Sequence, residues 1–149
     1  MERIIIDTDP GVDDAHAIML ASAHPGVQIE ALTVVAGNVG LDRTVANSCT
    51  ILDILGEDAP VFAGCDSALI PHVEDAAHVH GLDGLGDVDF TPSSRVVQKE
   101  HASDALVRLA HESPGELTLV AIGPLTNLAV ALKLDPGLPA FYKRLVIMG

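Results

Sequence analysis

The stretch IIIDTDPGVDDAHAI, residues 4–18, places four aspartates directly after a run of three isoleucines. A short β-branched run of this kind predicts a buried strand of a parallel sheet. Carboxylates crowded at the end of such a strand repel one another and resist desolvation. A positive group is therefore expected among them, or else the cluster faces open water. The four carboxylates belong to Asp7, Asp9, Asp13 and Asp14.

Strand-like and helix-like patterns alternate along the chain, which predicts an α/β fold. We expect one domain over residues 1–149, with an open, mostly parallel sheet and helices on both of its faces. Pro124 is expected at the first helical position of its helix, and Gly56 is expected as a C-cap. The predicted strands cover residues 3–7, 28–37, 60–64, 116–123 and 144–149, and the predicted helices cover residues 13–24, 42–56, 99–113 and 123–134.

Two segments depart from this regular pattern. Residues 66–95 lose periodicity and predict a long, flap-like loop of the kind that is usually functional. Residues 144–149 form an apolar strand with no covering helix after it, although such strands are normally central and enclosed in parallel sheets. The chain is therefore expected to be the first part of a longer fold. An uncovered strand also pairs readily with another chain, so a homo-oligomer is expected.

Composition and charge restrict the possible partners. The 149 residues are 48% hydrophobic, which indicates a globular chain, and 8 basic against 21 acidic residues give a net charge of −13. This excess of negative charge argues against nucleic acid or an anionic membrane as partner, but suits a neutral small molecule or a cation. Cys49 and Cys65 lack a CxxC spacing and are expected to be reduced thiols of a cytoplasmic protein.

Polar and glycine residues follow several predicted strands at the point where each strand ends. In open α/β sheets, ligands bind beyond the carboxyl ends of the strands, so these residues are expected to share one rim. Carboxylates at that rim suit Ca²⁺, which takes 6–8 oxygen ligands. The segments that meet there are residues 7–11, 37–38, 122–124 and 148–149.

The acidic cluster has other interpretations. Either of its last two aspartates could cap a helix N-terminus. An EF-hand loop that starts at Asp7 fails, because Val12 and Ile18 stand where Gly and Glu are required. A strand followed by Asp-x-Asp also resembles phosphatases with an aspartyl nucleophile. Their pattern departs from this chain at Pro10–Gly11, and that alternative stays open.

Single residues near the rim have simpler alternatives as well. Asp7 is expected to be a buried hydrogen-bond acceptor rather than a ligand. Asn38 could be only a turn residue, and His80 only an exposed loop residue. His78 and His80 could begin a zinc site, but no third ligand is placed for it. Thr126–Asn127 is expected to support the start of its helix.

The segment DTDPGVDDAHAI, residues 7–18, resembles the signature of the inosine-uridine preferring nucleoside hydrolases. Five later segments resemble further motifs of that family and follow in the same order, so that the resemblance spans essentially the whole chain. They are TVVAGNVG (33–40), VFAGCDSAL (61–69), HVHGLDGLG (78–86), AIGPLTNLA (121–129) and LVIMG (145–149).

The resemblance implies a Rossmann-like nucleoside hydrolase fold. It also implies a calcium-dependent reaction that hydrolyses the N-glycosidic bond of a ribonucleoside to free base and ribose, as in nucleoside salvage. The carboxylates of Asp9 and Asp14 and the main-chain carbonyl of Ile122 would bind Ca²⁺. Asp9 would also be the general base that takes a proton from the attacking water.

The resemblance further implies which residues bind the small-molecule substrate. Asp13 would hold ribose hydroxyls, Asn38 would line the site near the water and sugar, His80 would lie near the base, and Met148 near the ribose. Family members supply a further metal-binding aspartate and leaving-group residues from sequence beyond these 149 residues. The alternative is a non-catalytic chain that folds poorly alone, or that binds a cation or a partner without turnover, and this is the behaviour expected of these 149 residues by themselves.

Overall fold

The computed structural model describes residues 1–69, 77–88 and 90–148. The predicted loop at 66–95 therefore lies partly outside the described residues, at positions 70–76 and 89. Gly149, at the end of the last predicted strand, lies outside them as well.

The described residues contain five parallel strands in one sheet, in the order β3-β2-β1-β4-β5, which confirms the predicted α/β class. Within the same residues, the helices lack the length and hydropathy that a membrane span requires. The strands are β1 (Glu2–Thr8), β2 (Val27–Val34), β3 (Val61–Ala63), β4 (Leu117–Ala121) and β5 (Arg144–Ile147), and the α-helices are α1 (Val12–Ala23), α2 (Leu41–Leu55), α3 (Ala77–His80), α4 (Ala102–Glu112) and α5 (Thr126–Leu134).

The central strand β1 is buried on both faces. Because successive side chains of a strand point to opposite faces, the three isoleucines divide between two cores. Ile4 and Ile6 lie in the core with Ile18 of α1, whereas Ile5 lies in the core with Leu106 of α4. The apolar run therefore places β1 in the middle of the sheet, with helices on both sides as predicted.

This topology determines where residues 7–14, called here the acidic segment, lie. Asp7 pairs with Thr33 of β2 on one side and with Ala121 of β4 on the other. The backbone that follows β1 therefore leaves the sheet between the carboxyl ends of β2 and β4. A crevice beyond the carboxyl ends of the strands is where ligands bind in open α/β sheets.

The structure corrects the predicted start of α5. Pro124 is not the first helical residue, because α5 begins at Thr126 with Leu125 as its N-cap. The reason is that the N–H groups of Ile122 and Gly123 still donate to the carbonyl of Asp7, at 2.8 and 3.3 Å. The chain stays attached to β1 through Gly123, and the helix can start only after the turn that follows. The predicted C-cap Gly56 is confirmed, with φ 68° in the left-handed region.

The last strand, β5, lies at the edge of the described sheet rather than in an enclosed central position. Its only neighbour among the described strands is β4. Leu145, Val146 and Ile147 are 47%, 43% and 46% exposed. The apolar composition of the segment is thus not matched by burial within the described residues.

Candidate active site

Asp9 and Asn38 connect the turns that follow β1 and β2. Asp9 is buried, and its Oδ2 accepts a hydrogen bond from the backbone N–H of Asn38 at 2.7 Å. The Nδ2 of Asn38 donates to the main-chain carbonyl of Asp9 at 3.0 Å and to Oδ2 of Asp14 at 3.1 Å. Asn38 is therefore more than a turn residue, because its side chain holds both predicted metal-binding aspartates.

Asp14 lies in the first turn of α1 and is also buried. Its Oδ1 accepts from the hydroxyl of Thr8 at 2.6 Å, and its Oδ2 accepts from the N–H of Gly11 at 3.2 Å. The contact with Gly11 gives Asp14 a helix-capping role, one of the alternatives that the sequence predicts for this residue. That role accounts for one oxygen of one aspartate and leaves Asp9 unexplained.

The electrostatics of the pair favour a bound cation. Burial raises the pKa of Asp9 to about 7, and repulsion from Asp14 adds to the increase. Burial also raises the pKa of Asp14 above its ordinary value. No Lys or Arg of the described residues forms an ion pair with either carboxylate. The positive group expected from the sequence is thus not a Lys or Arg side chain of the described residues.

The donor atoms present fit a hard divalent cation. Oδ1 of Asp9 accepts no hydrogen bond from a described residue, so it can serve as a ligand. Ile122, whose carbonyl is the third predicted ligand, follows β4 directly and is held to β1 by its own N–H. No group of three His, Cys, Asp or Glu side chains within the described ranges is arranged to hold a metal. The predicted set needs only two such side chains, because its third ligand is main chain.

Asp7 is a buried acceptor, as expected from the sequence. Its Oδ2 accepts from the hydroxyl of Thr33 at 2.7 Å and from Nδ2 of Asn127 at 3.0 Å. Its Oδ1 is buried without a donor among the described residues, and burial raises the pKa of Asp7 to about 7. The sequence predicts that Asn127 supports the start of its helix, but its side chain instead donates to Asp7 of β1.

The residues predicted to bind substrate lie at two places on the rim. Asp13 projects from α1 with 68% of its side chain exposed, and His80 Nδ1 lies 3.8 Å from Asp13 Oδ1. Met148 follows β5, two strands away from β1 in the sheet, and is 61% exposed. The structure therefore brings His80 to the acidic segment, while Met148 stands at the far side of the same sheet edge.

Three residues shape this site in ways that the sequence does not predict. Thr8 is the last residue of β1, one position beyond the predicted strand, and its hydroxyl holds Asp14. Asn47 is buried in α2 and donates to the carbonyl of Pro10 at 3.1 Å. A buried asparagine on the apolar face of a helix is the signal that could have found it, because such a side chain needs polar partners.

Gly37 is the third, and it leads to a testable expectation. A Cβ atom at Gly37 would lie 2.1 Å from Oδ2 of Asp9, a distance at which the carboxylate must move. Gly37→Ala is therefore expected to lower Ca²⁺ affinity by about tenfold or more, since displaced ligands lose metal affinity on that scale. The matched control is Gly40→Ala, where a Cβ atom meets nothing within 4 Å. Calorimetric titration with Ca²⁺ checks both variants, and equal affinities would contradict the expectation.

Comparison with known proteins gives a consistent result. A family model for the inosine-uridine preferring nucleoside hydrolases matches residues 4–149. Uridine nucleosidase 1 of Arabidopsis thaliana is 43% identical over 152 aligned residues, which cover 99% of this chain and 45% of that protein. Two solved structures each superpose with a TM-score of 0.94 over 99% of this chain and 48% of theirs. They are a plant nucleoside hydrolase, PpNRh1, at 41% identity, and a purine-preferring ribonucleoside hydrolase from Gardnerella vaginalis at 33%. The chain spans about half the length of the curated relatives it matches.

Proposed function

The chain belongs to the inosine-uridine preferring nucleoside hydrolase family, and on that premise we propose that it carries the cation-binding and ribose-binding part of a calcium-dependent nucleoside hydrolase. Such an enzyme adds water across the N-glycosidic bond of a ribonucleoside and releases free base and ribose. The observation that carries the proposal is the buried pair of Asp9 and Asp14, which no Lys or Arg of the described residues neutralises.

The cation would be held by the carboxylates of Asp9 and Asp14 and by the main-chain carbonyl of Ile122. When bound, Ca²⁺ supplies positive charge that makes a nearby water more acidic and attracts ribose hydroxyls. Two buried carboxylates with raised pKa values support this assignment, because each is costly to ionise without a compensating charge.

Asp9 would act as the general base. Asn38 anchors its Oδ2 through a backbone N–H, while Oδ1, which has no donor among the described residues, has lone pairs for both the cation and the proton. In the reaction, the water oxygen bonds to the anomeric carbon and the water proton passes to Asp9. The electrons of the broken C–N bond leave with the nucleobase. A carboxylate held at one oxygen is positioned for this transfer without losing its basic atom.

Asp13 and His80 would contact the substrate itself. The exposed carboxylate of Asp13 can accept hydrogen bonds from ribose hydroxyls, and His80 beside it suits a position near the base. Asn38 would line the floor of the site, and Met148 would contact the ribose from the β5 side. These roles follow from family membership and are supported by the position of each residue on the rim.

The substrate would be a neutral nucleoside rather than a nucleotide. The exposed Asp13 and a net charge of −13 disfavour a phosphate at the rim. We expect a complete enzyme that contains this chain to release ribose from inosine or uridine with Ca²⁺ and not with EDTA. With inosine 5′-monophosphate, kcat/KM should be lower than with inosine by a factor of about ten or more. The reason is that the repulsion between the phosphate and a carboxylate at contact distance costs more than the 1.4 kcal/mol that a factor of ten represents.

Ribose release measured by a reducing-sugar assay distinguishes the outcomes. Equal turnover of inosine and its monophosphate would contradict the neutral-substrate proposal. Calcium binding without ribose release would overturn the catalytic role for this chain and favour the alternative, a non-catalytic domain that binds a cation.

We further propose that the enzyme is cytoplasmic and forms a homo-oligomer. Both cysteines, Cys49 and Cys65, are free thiols, which supports a cytoplasmic enzyme. The exposed apolar residues of β5 support self-association, since an unpaired strand edge can pair with another chain. Sedimentation of the purified chain tests this, and a monomer at all concentrations would contradict it.

A further inference from the structure

The turn formed by residues 80–87, called here the 80–87 turn, is braced by its own side chains. Oδ1 of Asp83 accepts from the N–H of Asp87 at 2.9 Å, and Oδ1 of Asp87 accepts from the N–H of Asp83 at 3.3 Å. The N–H of Gly86 donates to the carbonyl of His80 at 2.7 Å. These reciprocal contacts make the turn a rigid unit, so that its place in the molecule depends on where it is attached.

Asn47 provides one attachment. This residue of α2 is 7% exposed, and its Nδ2 donates to the carbonyl of Asp83 at 2.8 Å and to the carbonyl of Pro10 at 3.1 Å. One amide group therefore links the 80–87 turn to the acidic segment after β1. The approach is so close that a Cβ atom at Gly84 would lie 2.8 Å from Nδ2.

His80 provides the other attachment. Its Nδ1 accepts from the N–H of Val12 at 3.3 Å. A Cβ atom at Gly11 would lie 2.9 Å from the same nitrogen, so the imidazole packs directly on the backbone there. The ring thus lies against the acidic segment, with Asp13 as its nearest carboxylate.

We propose that Asn47 is a positioning residue that fastens the 80–87 turn to the acidic segment and thereby places His80 beside Asp13. Among the described residues, its side chain hydrogen-bonds only to backbone carbonyls, so it acts through the turn. The role of His80 toward a nucleoside rests on the proposed function, whereas the placement of His80 by Asn47 does not.

The chemistry of the amide explains why asparagine stands at this position. Two carbonyl oxygens need two donors from one short side chain, and the amide NH₂ group supplies both. In Asn47→Asp the shape is kept, but a carboxylate oxygen would face two carbonyl oxygens and repel them. The 80–87 turn should then detach while α2 keeps its length and packing.

Amide hydrogen exchange of the purified chain tests the proposal. In Asn47→Asp, the amides of Gly84, Gly86 and Val12 should exchange about tenfold faster or more, while that of Leu119 in β4 stays within about twofold. The matched control is Ser48→Ala in the same helix, because the Ser48 hydroxyl bonds only to the carbonyl of Thr44 within the described part of the chain. The control should leave the three amides near the wild-type rate.

A second variant approaches the same contact from the other side. Gly84→Ala adds a Cβ atom against Asn47 at a residue with φ +83°, and it leaves α2 unchanged. It should accelerate exchange at Gly86 and Val12 as Asn47→Asp does. The double variant should add little to either single change, because both break one attachment.

The outcomes separate this inference from the proposed function. Unchanged exchange at Val12 and Gly86 in both variants would overturn the positioning role, whatever the catalytic result. Acceleration everywhere, including β4, would show that Asn47 only stabilises the fold and would overturn it too. If inosine is hydrolysed, its KM should rise about tenfold in both variants, while the Ca²⁺ affinity stays within about twofold of wild type, because Pro10 and Asp83 are not Ca²⁺ ligands. If the chain hydrolyses no nucleoside but the local exchange changes, the proposed function fails and the positioning role stands.

Discussion

Replacing Asp9 with Asn is expected to lower Ca²⁺ affinity by about 100-fold or more and to reduce ribose release by about 10²–10⁴-fold. The amide keeps the acceptor for the N–H of Asn38, but it removes both the ligand charge and the base. Asp14→Asn should reduce affinity in the same direction. Calorimetric titration with Ca²⁺ measures the first effect, and inosine turnover measures the second. Asp42→Asn, which removes one exposed charge from the start of α2, is the matched control.

The same substitution should make the cation-free protein more stable at neutral pH. Because burial raises the folded-state pKa of Asp9 to about 7 from an ordinary value of 3.8, the folded state prefers the protonated acid. This preference stabilises the fold fully below the ordinary pKa and is lost as pH rises through about 7. Urea denaturation in EDTA should therefore show wild-type stability falling from pH 5 to pH 8, and falling less in Asp9→Asn. Coinciding wild-type and variant curves would contradict the raised pKa assigned to Asp9.

Asn127→Leu is expected to have the largest effect on stability, a loss of roughly 3–5 kcal/mol. The amide of Asn127 is fully buried and serves three groups at once. Its Nδ2 donates to Asp7 and to the carbonyl of Val34, and its Oδ1 accepts from the N–H of Cys65 at 2.8 Å. Leucine fills the space but leaves all three groups without this partner. A loss of that size is a large share of the 5–15 kcal/mol typical of a domain.

Thr33→Val is the control for this prediction. It removes a single hydrogen bond to Asp7 with little change of volume, so it should cost only about 1 kcal/mol. Urea denaturation at pH 7 without Ca²⁺ compares the two variants. If Asn127→Leu costs no more than Thr33→Val, the amide does not hold the strand ends together as described.

The fold could be predicted because its signals are local. β-branched runs and helical periodicity identified the elements, and their alternation indicated a parallel sheet. The errors came from contacts between elements. Pro124 failed as a helix start because Ile122 and Gly123 are still bonded to Asp7, whereas the exposed edge position of β5 matches the uncovered strand that the sequence predicts.

The site divides in the same way. The rule that ligands bind beyond the carboxyl ends of parallel strands predicted that Asp9, Asp14 and Asn38 would meet, and they do. No pattern indicated the partners of Asn47 and Asn127, whose hydrogen bonds reach residues 36 to 120 positions away in sequence. Such contacts depend on how the helices are placed against the sheet.

The order of residues alone determined that this chain forms a parallel sheet with carboxylates at the carboxyl ends of its strands, because periodicity and charge are properties of neighbouring residues. Only the folded chain decided how those carboxylates are held, with Asn38 between the two aspartates and Asn47 fastening a distant turn. A buried amide forms hydrogen bonds only with groups whose heavy atoms lie within about 3 Å of its own. Those distances are established only after the helices and strands have packed.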